Sequence, residues 1–112
     1  MKNYKLHRIE RVGLAILKKP KGISEREMVF SLNITSGRNE INELEHLLGI
    51  QFTREWHTTK DGLCQYYIYS IPERYTAKVL LDFLINKIEL RTGKTITLNE
   101  QELILNQFPN IR

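Results

Sequence analysis

The sequence predicts a mainly α chain that carries one β-hairpin, an α+β architecture. Three observations lead there. Ser24-Glu25-Arg26-Glu27 has the form of a helix capping box. Residues 36–48 repeat their apolar side chains at helical spacing and stop at Gly49. Lys60-Asp61-Gly62 then separates two strand-like runs.

Each element has its own local reason. Leu6, Ile9, Val12, Gly13, Ile16 and Leu17 recur at helical spacing between basic residues, which predicts a first helix from about Lys5 to Lys18. Pro20 and Gly22 end it. The capping box opens a second helix through about Leu32, with Met28, Val29 and Leu32 inward and Ile23 as a hydrophobic staple. After Asn33-Ile34-Thr35, Ser36 is expected to cap a third helix through Leu48. Its buried stripe is Ile41, Leu44 and Leu48; its polar stripe is Asn39, Asn42, Glu43 and His46.

Residues 50–57 alternate, with Ile50, Phe52 and Trp56 on one face, so Trp56 is expected in the core. Leu63 to Ile71 is rich in aromatic and β-branched residues and is expected to pair back. Tyr66, Tyr67 and Tyr69 occupy both parities there, which leaves its buried face open. Pro72 suits the first turn of a long helix with Val79, Leu80, Phe83, Leu84 and Ile88 inward, closed by Thr92-Gly93. Thr97-Leu98-Asn99-Glu100 opens a short terminal helix with Leu103, Ile104 and Phe108, and Pro109 ends it.

Capped helix, turn, helix and hairpin, in that order, make a winged helix-turn-helix over residues 1–71. Residues 72–112 add the long and short helices to the same compact unit. Ile23-Ser24, Met28, Ile34, Ile41, Leu44, Gly49 and the tyrosine-rich strand resemble the small winged helix-turn-helix domains of bacteriophages and prophages. The resemblance covers roughly residues 9–71 and rests on core and cap positions. It implies a DNA-binding transcriptional regulator of phage or mobile-element origin. The third helix is more acidic than that pattern, and the turn before Phe52 is longer.

The chain has 112 residues, 41% of them hydrophobic, in the range of one soluble domain. No apolar run is long enough to cross a bilayer, and Met1 to Lys5 lack a signal-peptide stretch, so a cytoplasmic protein is expected. The single cysteine, Cys64, excludes an internal disulfide and is expected to be a small buried strand residue. The net charge of +4 suits a polyanionic partner. Its distribution is uneven: residues 1–21 hold seven Lys or Arg against one acid, Glu10, whereas residues 22–48 hold two against five.

For DNA, the third helix would enter the major groove by its N-terminal end. Asn39 and Asn42 carry amides that can pair with adenine, and Arg38 can reach guanine or a phosphate. The N–H groups after Ser36 can hold a phosphate. Thr58, Thr59 and Lys60 would contact the adjacent strand, and Lys19 and Lys21, with Lys18, would clamp another phosphate. The alternative is a protein-protein interaction module, in which the acidic second and third helices meet a basic surface such as that of a host nucleic-acid enzyme.

The long helix offers a broad apolar face. Val79, Leu80, Phe83, Leu84 and Ile88 are therefore expected either to pack on the first helix or, preferably, to form a homodimer that spaces two reading helices by about one DNA turn. An enzyme is not expected. His7, His46 and His57 fall on different elements without metal-ligand spacing, and no nucleophile elbow or glycine-rich phosphate loop is present. No cofactor is implied.

Overall fold

The computed structural model describes residues 6–111. In chain order it comprises α1 (Arg8–Leu17), β1 (Ile23–Ser24), α2 (Glu25–Leu32), α3 (Arg38–Leu48), β2 (Thr53–Thr58), β3 (Gln65–Ser70), α4 (Arg74–Thr92) and α5 (Leu98–Leu105). The fold is α+β, with five helices around a three-stranded antiparallel sheet of order β1-β3-β2 among the described residues. The expected start of the first helix at Lys5 lies outside them.

The capping box forms as expected. Ser24 Oγ accepts the Glu27 N–H and Glu27 Oε1 accepts the Ser24 N–H, each at 3.2 Å. Met28 is buried beneath α2, but Val29 is exposed, because the buried face of this short helix is narrow. Asn33 ends the helix in the left-handed conformation. Ser36 does not cap α3, contrary to expectation. It too is left-handed, and only its carbonyl contributes, accepting the Asn39 N–H at 3.0 Å. Gly37 is the N-cap instead and lies against the Met28 side chain, with Sδ nearest to where a Cβ would be.

Strand β1 is not visible in the sequence, since two residues cannot show alternation. Ile23 pairs with Tyr69 and Ser24 with Ile68, which makes β3 the central strand. Gly22 makes this possible. Its φ is 102°, and a Cβ there would sit 2.5 Å from Ile68 Cγ2 and 2.7 Å from the Tyr69 carbonyl oxygen.

On the other side Arg54 pairs with Tyr69 and Trp56 with Tyr67. Phe52 and Tyr69 are buried where the helices cover the base of the hairpin. Trp56 shares their parity but is 52% exposed, so it is not a core residue. The hairpin runs past the helical layer, and parity selects a face without supplying a cover for it. The connection over residues 59–64 is longer than a two-residue turn. The Thr59 N–H donates to the Cys64 carbonyl at 2.8 Å and the Gly62 N–H to the Thr59 carbonyl at 2.9 Å. Cys64 therefore stands exposed at the loop's end rather than buried on a strand.

Helix α4 begins at Arg74, two residues beyond Pro72, with Glu73 as N-cap. It packs directly on α1. A Cβ on Gly13 would meet Leu84 Cδ1 at 2.7 Å, so the Leu84 side chain packs into the space that the glycine leaves. Leu80, Leu84 and Ile88 are buried in this single-chain core, and Val79 and Phe83 are half-buried beside them. The face expected to form a dimer is thus covered in cis. An intramolecular contact has the higher effective concentration, and the α1 stripe of Val12, Ile16 and Leu17 requires the same cover.

Helix α5 closes back on α4. Thr97 Oγ1 accepts the Glu100 N–H at 3.2 Å, and Ile104 and Phe108 are buried. Leu103 points outward, against expectation, because Ile104 and Phe108 already define the inward face at a spacing of four. Arg74 ties the two helices together. Its Nε donates to the Leu105 carbonyl at 3.0 Å and its backbone N–H to the Pro109 carbonyl at 2.8 Å.

Glu10 is fully buried. The Arg91 guanidinium from the end of α4 donates to Oε1, as does the His7 N–H at 2.9 Å. Oε2 has no hydrogen-bond partner among the described residues. Burial pushes this carboxyl up, but the Arg91 hydrogen bond and charge, with the His7 N–H, outweigh it and hold it below the ordinary glutamate value. Its stabilisation is therefore present above the unfolded-state pKa and lost as pH falls through the lower folded-state one.

Two outcomes are expected. Gly22→Ala lowers stability by about 2 kcal/mol or more through strain and clash, read as a shifted urea midpoint. Glu10→Gln costs about 2 kcal/mol at neutral pH, and its deficit against the wild type shrinks as both proteins are titrated into acid.

Candidate functional site

The first turn of α3 and the β2–β3 hairpin bring the sequence-predicted Arg38 beside the exposed rings of Trp56, Tyr66 and Tyr67. Their relative position is set by a clamp. Arg54 on β2 donates through Nη1 to Glu45 Oε2 and through Nη2 to Glu45 Oε1, both at 2.8 Å. Nη2 also donates to Asn42 Oδ1 at 2.9 Å. Glu45 Oε2 further accepts the Phe52 N–H at 2.8 Å. The paired fork of donors matches the carboxylate plane and fixes orientation as well as distance. The Arg54 hydrogen bonds hold Glu45 below the usual glutamate range, against the opposing effect of burial. Arg54 also lies over the Tyr69 ring, 5.4 Å from its centroid.

The helical repeat then sorts α3. Ile41 and Leu44 face the core, Arg38, Asn42 and Glu45 face the hairpin side, and Asn39, Glu43 and His46 face outward. Beyond the clamp, toward the hairpin tip, Arg38 lines a groove of about 380 Å³ with Glu25, Trp56, Gln65, Tyr66 and Tyr67. On its other side the clamp borders a shallower cleft of about 760 Å³, between α3, residues 49–53 and the start of α4.

The acidity of residues 22–48 is largely cancelled from outside the segment. Lys19 Nζ donates to Glu27 Oε2 at 2.9 Å, Arg8 to Glu40 Oε1 at 3.0 Å, and Arg54 to Glu45. Glu25 and Glu43 remain. Cations that the sequence places on other elements thus remove most of the negative field around α3.

The predicted DNA contacts divide accordingly. Arg38 and Asn39 are exposed at the start of α3, and Lys60 is exposed in the hairpin loop. Thr58 is exposed where β2 ends. Asn42 is exposed but its amide oxygen is held by Arg54. The Thr59 hydroxyl is used inside the loop, donating to Asp61 Oδ1 at 2.6 Å and accepting the Cys64 N–H at 3.1 Å. Ser36 offers no hydroxyl cap. Lys19 is spent on Glu27. Lys21 precedes β1, which pairs near the base of the hairpin on the far edge of the sheet from β2. About 20 Å of strand separates that base from the Lys60 loop, so the lysine cluster and the hairpin tip do not form one patch.

Trp56, Tyr67 and Gln65 are the site residues that sequence reasoning missed. Their signal was the doubled parity of the tyrosines, which marks a strand with aromatic side chains on both faces. Comparison with known protein families, curated proteins and solved structures gives no match to this chain. No helix among the described residues is long and apolar enough to cross a membrane.

Removal of the clamp tests its role. Glu45→Ala is expected to cost about 2 kcal/mol, because it leaves Arg54 and the Phe52 N–H without their acceptor. Amide exchange at Phe52 should accelerate while exchange in the α1–α4 core stays slow.

Proposed function

We propose that this chain is a winged helix-turn-helix protein that binds duplex DNA. In this reading α2 and α3 are the helix-turn-helix, α3 is the reading helix and the β2–β3 hairpin is the wing. The observation that carries it is the start of α3. Arg38 stands exposed there on the hairpin side and Asn39 on the outward side, while the neighbouring Glu40 and Glu45 are neutralised by Arg8 and Arg54. A helix presented by its N-terminal end, with a guanidinium and an amide on its first turn, has the donors needed for base edges and phosphates.

The same pairing weakens the case for a protein partner recognised through an acidic helical face. That face is reduced to Glu25 and Glu43 once Lys19, Arg8 and Arg54 are counted. Packing of Leu80, Leu84 and Ile88 within the chain supports a binding unit built from one copy.

Fluorescence anisotropy of a labelled mixed-sequence duplex, at low and near-physiological salt, tests the reading. Binding should weaken steeply with salt, and Arg38→Ala or Asn39→Ala should each reduce it by about tenfold. Undiminished binding in both variants would remove α3 as the reader, and no binding at low salt would end the proposal.

A further inference from the structure

The hairpin carries a feature that reading by α3 does not use. Trp56 and Tyr67 face each other across β2 and β3 with ring centroids 4.4 Å apart, edge to face. Both are exposed, at 52% and 43%. Tyr67 is held from behind by the buried Tyr69, whose ring centroid lies 6.2 Å away. The pair is therefore an exposed aromatic cluster anchored at the buried Tyr69.

Charge argues against a wing that simply lies on phosphates. Residues 53–70 hold two cations, Arg54 and Lys60, against Glu55 and Asp61, and Arg54 is already spent on Glu45. The hairpin has no surplus positive charge to release counterions. What it exposes instead is ring surface, in a groove whose one cation, Arg38, stands with one carboxylate, Glu25. Rings beside a single guanidinium match a flat π-faced group joined to an anion, which is the chemistry of a nucleobase on its phosphate. Bases inside a duplex have both faces covered by their neighbours, so an unpaired base is the form that can stack.

We infer that the Trp56–Tyr67 pair is a stacking platform for an unpaired nucleobase, with Arg38 on the adjoining phosphate, so that the chain engages DNA where duplex meets single strand. Glu25 and Gln65 line the same groove and supply an acceptor and an amide for the edge of that base. This rests on the reading of α3 and the hairpin as a DNA-facing surface.

Trp56 is the only tryptophan, so its emission reports on the platform directly. The full chain is titrated with a blunt duplex, with the same duplex carrying a thymidine overhang, and with a proline-rich peptide that could also dock on exposed rings. The overhang should quench Trp56 emission and tighten binding over the blunt duplex. Trp56→Ala should abolish that preference, a loss of about tenfold in the ratio of overhang to blunt-duplex affinity, whereas Trp56→Phe should keep most of it. Circular dichroism should show unchanged folding in both variants, as expected for an exposed side chain. Equal affinity for blunt and overhang DNA without quenching would overturn the platform and spare the duplex-binding proposal. Quenching by the peptide but not by the overhang would also overturn it. Failure of both DNAs to bind would remove the two readings together.

Discussion

The register of β3 at Ile68 and Tyr69 is the constraint on which the rest of the molecule depends. Tyr69 pairs with Ile23 on one side and Arg54 on the other, and its ring is buried. Strand β1 leads straight into the α2 capping box, and β2 follows α3, so this one residue sets the position of the helix pair from both ends. A slip of one residue would turn Tyr69 to the open face and bring Ile68 inward. Gly22 and the Arg54 stack over Tyr69 oppose that slip, the first by admitting the β3 backbone closely and the second by covering the ring in its observed orientation.

Electrostatic pairing between elements is the second organising feature. Arg8, Lys19 and Arg54 each come from outside the α2–α3 segment and each meet a carboxylate within it. Exposed pairs of this kind contribute little to stability. Their effect here is on the field around α3, which is less negative than its composition implies. The half-buried Arg54 fork does more, because it also fixes the angle between helix and hairpin. Glu10 belongs to a different class: it lies inside the α1–α4 contact, where loss of Arg91 would leave a buried charge unmatched.

Most of the fold was legible because its signals are local. The Ser24–Glu27 box, the Gly49 and Gly93 stops and the Thr97 cap each depend on residues a few positions apart, and each is found where spacing placed it. The misplacements arose where a distant contact overrode a local preference. Ser36 is a good cap residue, but its backbone is left-handed and the cap falls to Gly37, packed against Met28. Trp56 had core parity, but only the polar first residues of α2 and α3, Glu25 and Arg38, come near it, and no apolar helix face covers it. Pro72 suits a first turn, but α4 starts only where Arg74 can meet the carbonyls after α5. The candidate site followed the same division: Arg38 and Asn39 could be placed from helical phase, whereas the aromatic groove beside them could not.

By itself, then, the sequence determined which segments are helix and which form the β2–β3 hairpin, where most of them begin and end, and which face of α1 and α3 is apolar. These are set by backbone hydrogen bonding and side-chain period within a few residues. Tertiary structure alone decided the β1–β3 pairing, the closure of α4 on α1 within one chain, the burial of Glu10 and the cancellation of the α3 carboxylates. Each of these joins residues far apart in sequence, and their meeting depends on packed distances that no local pattern encodes.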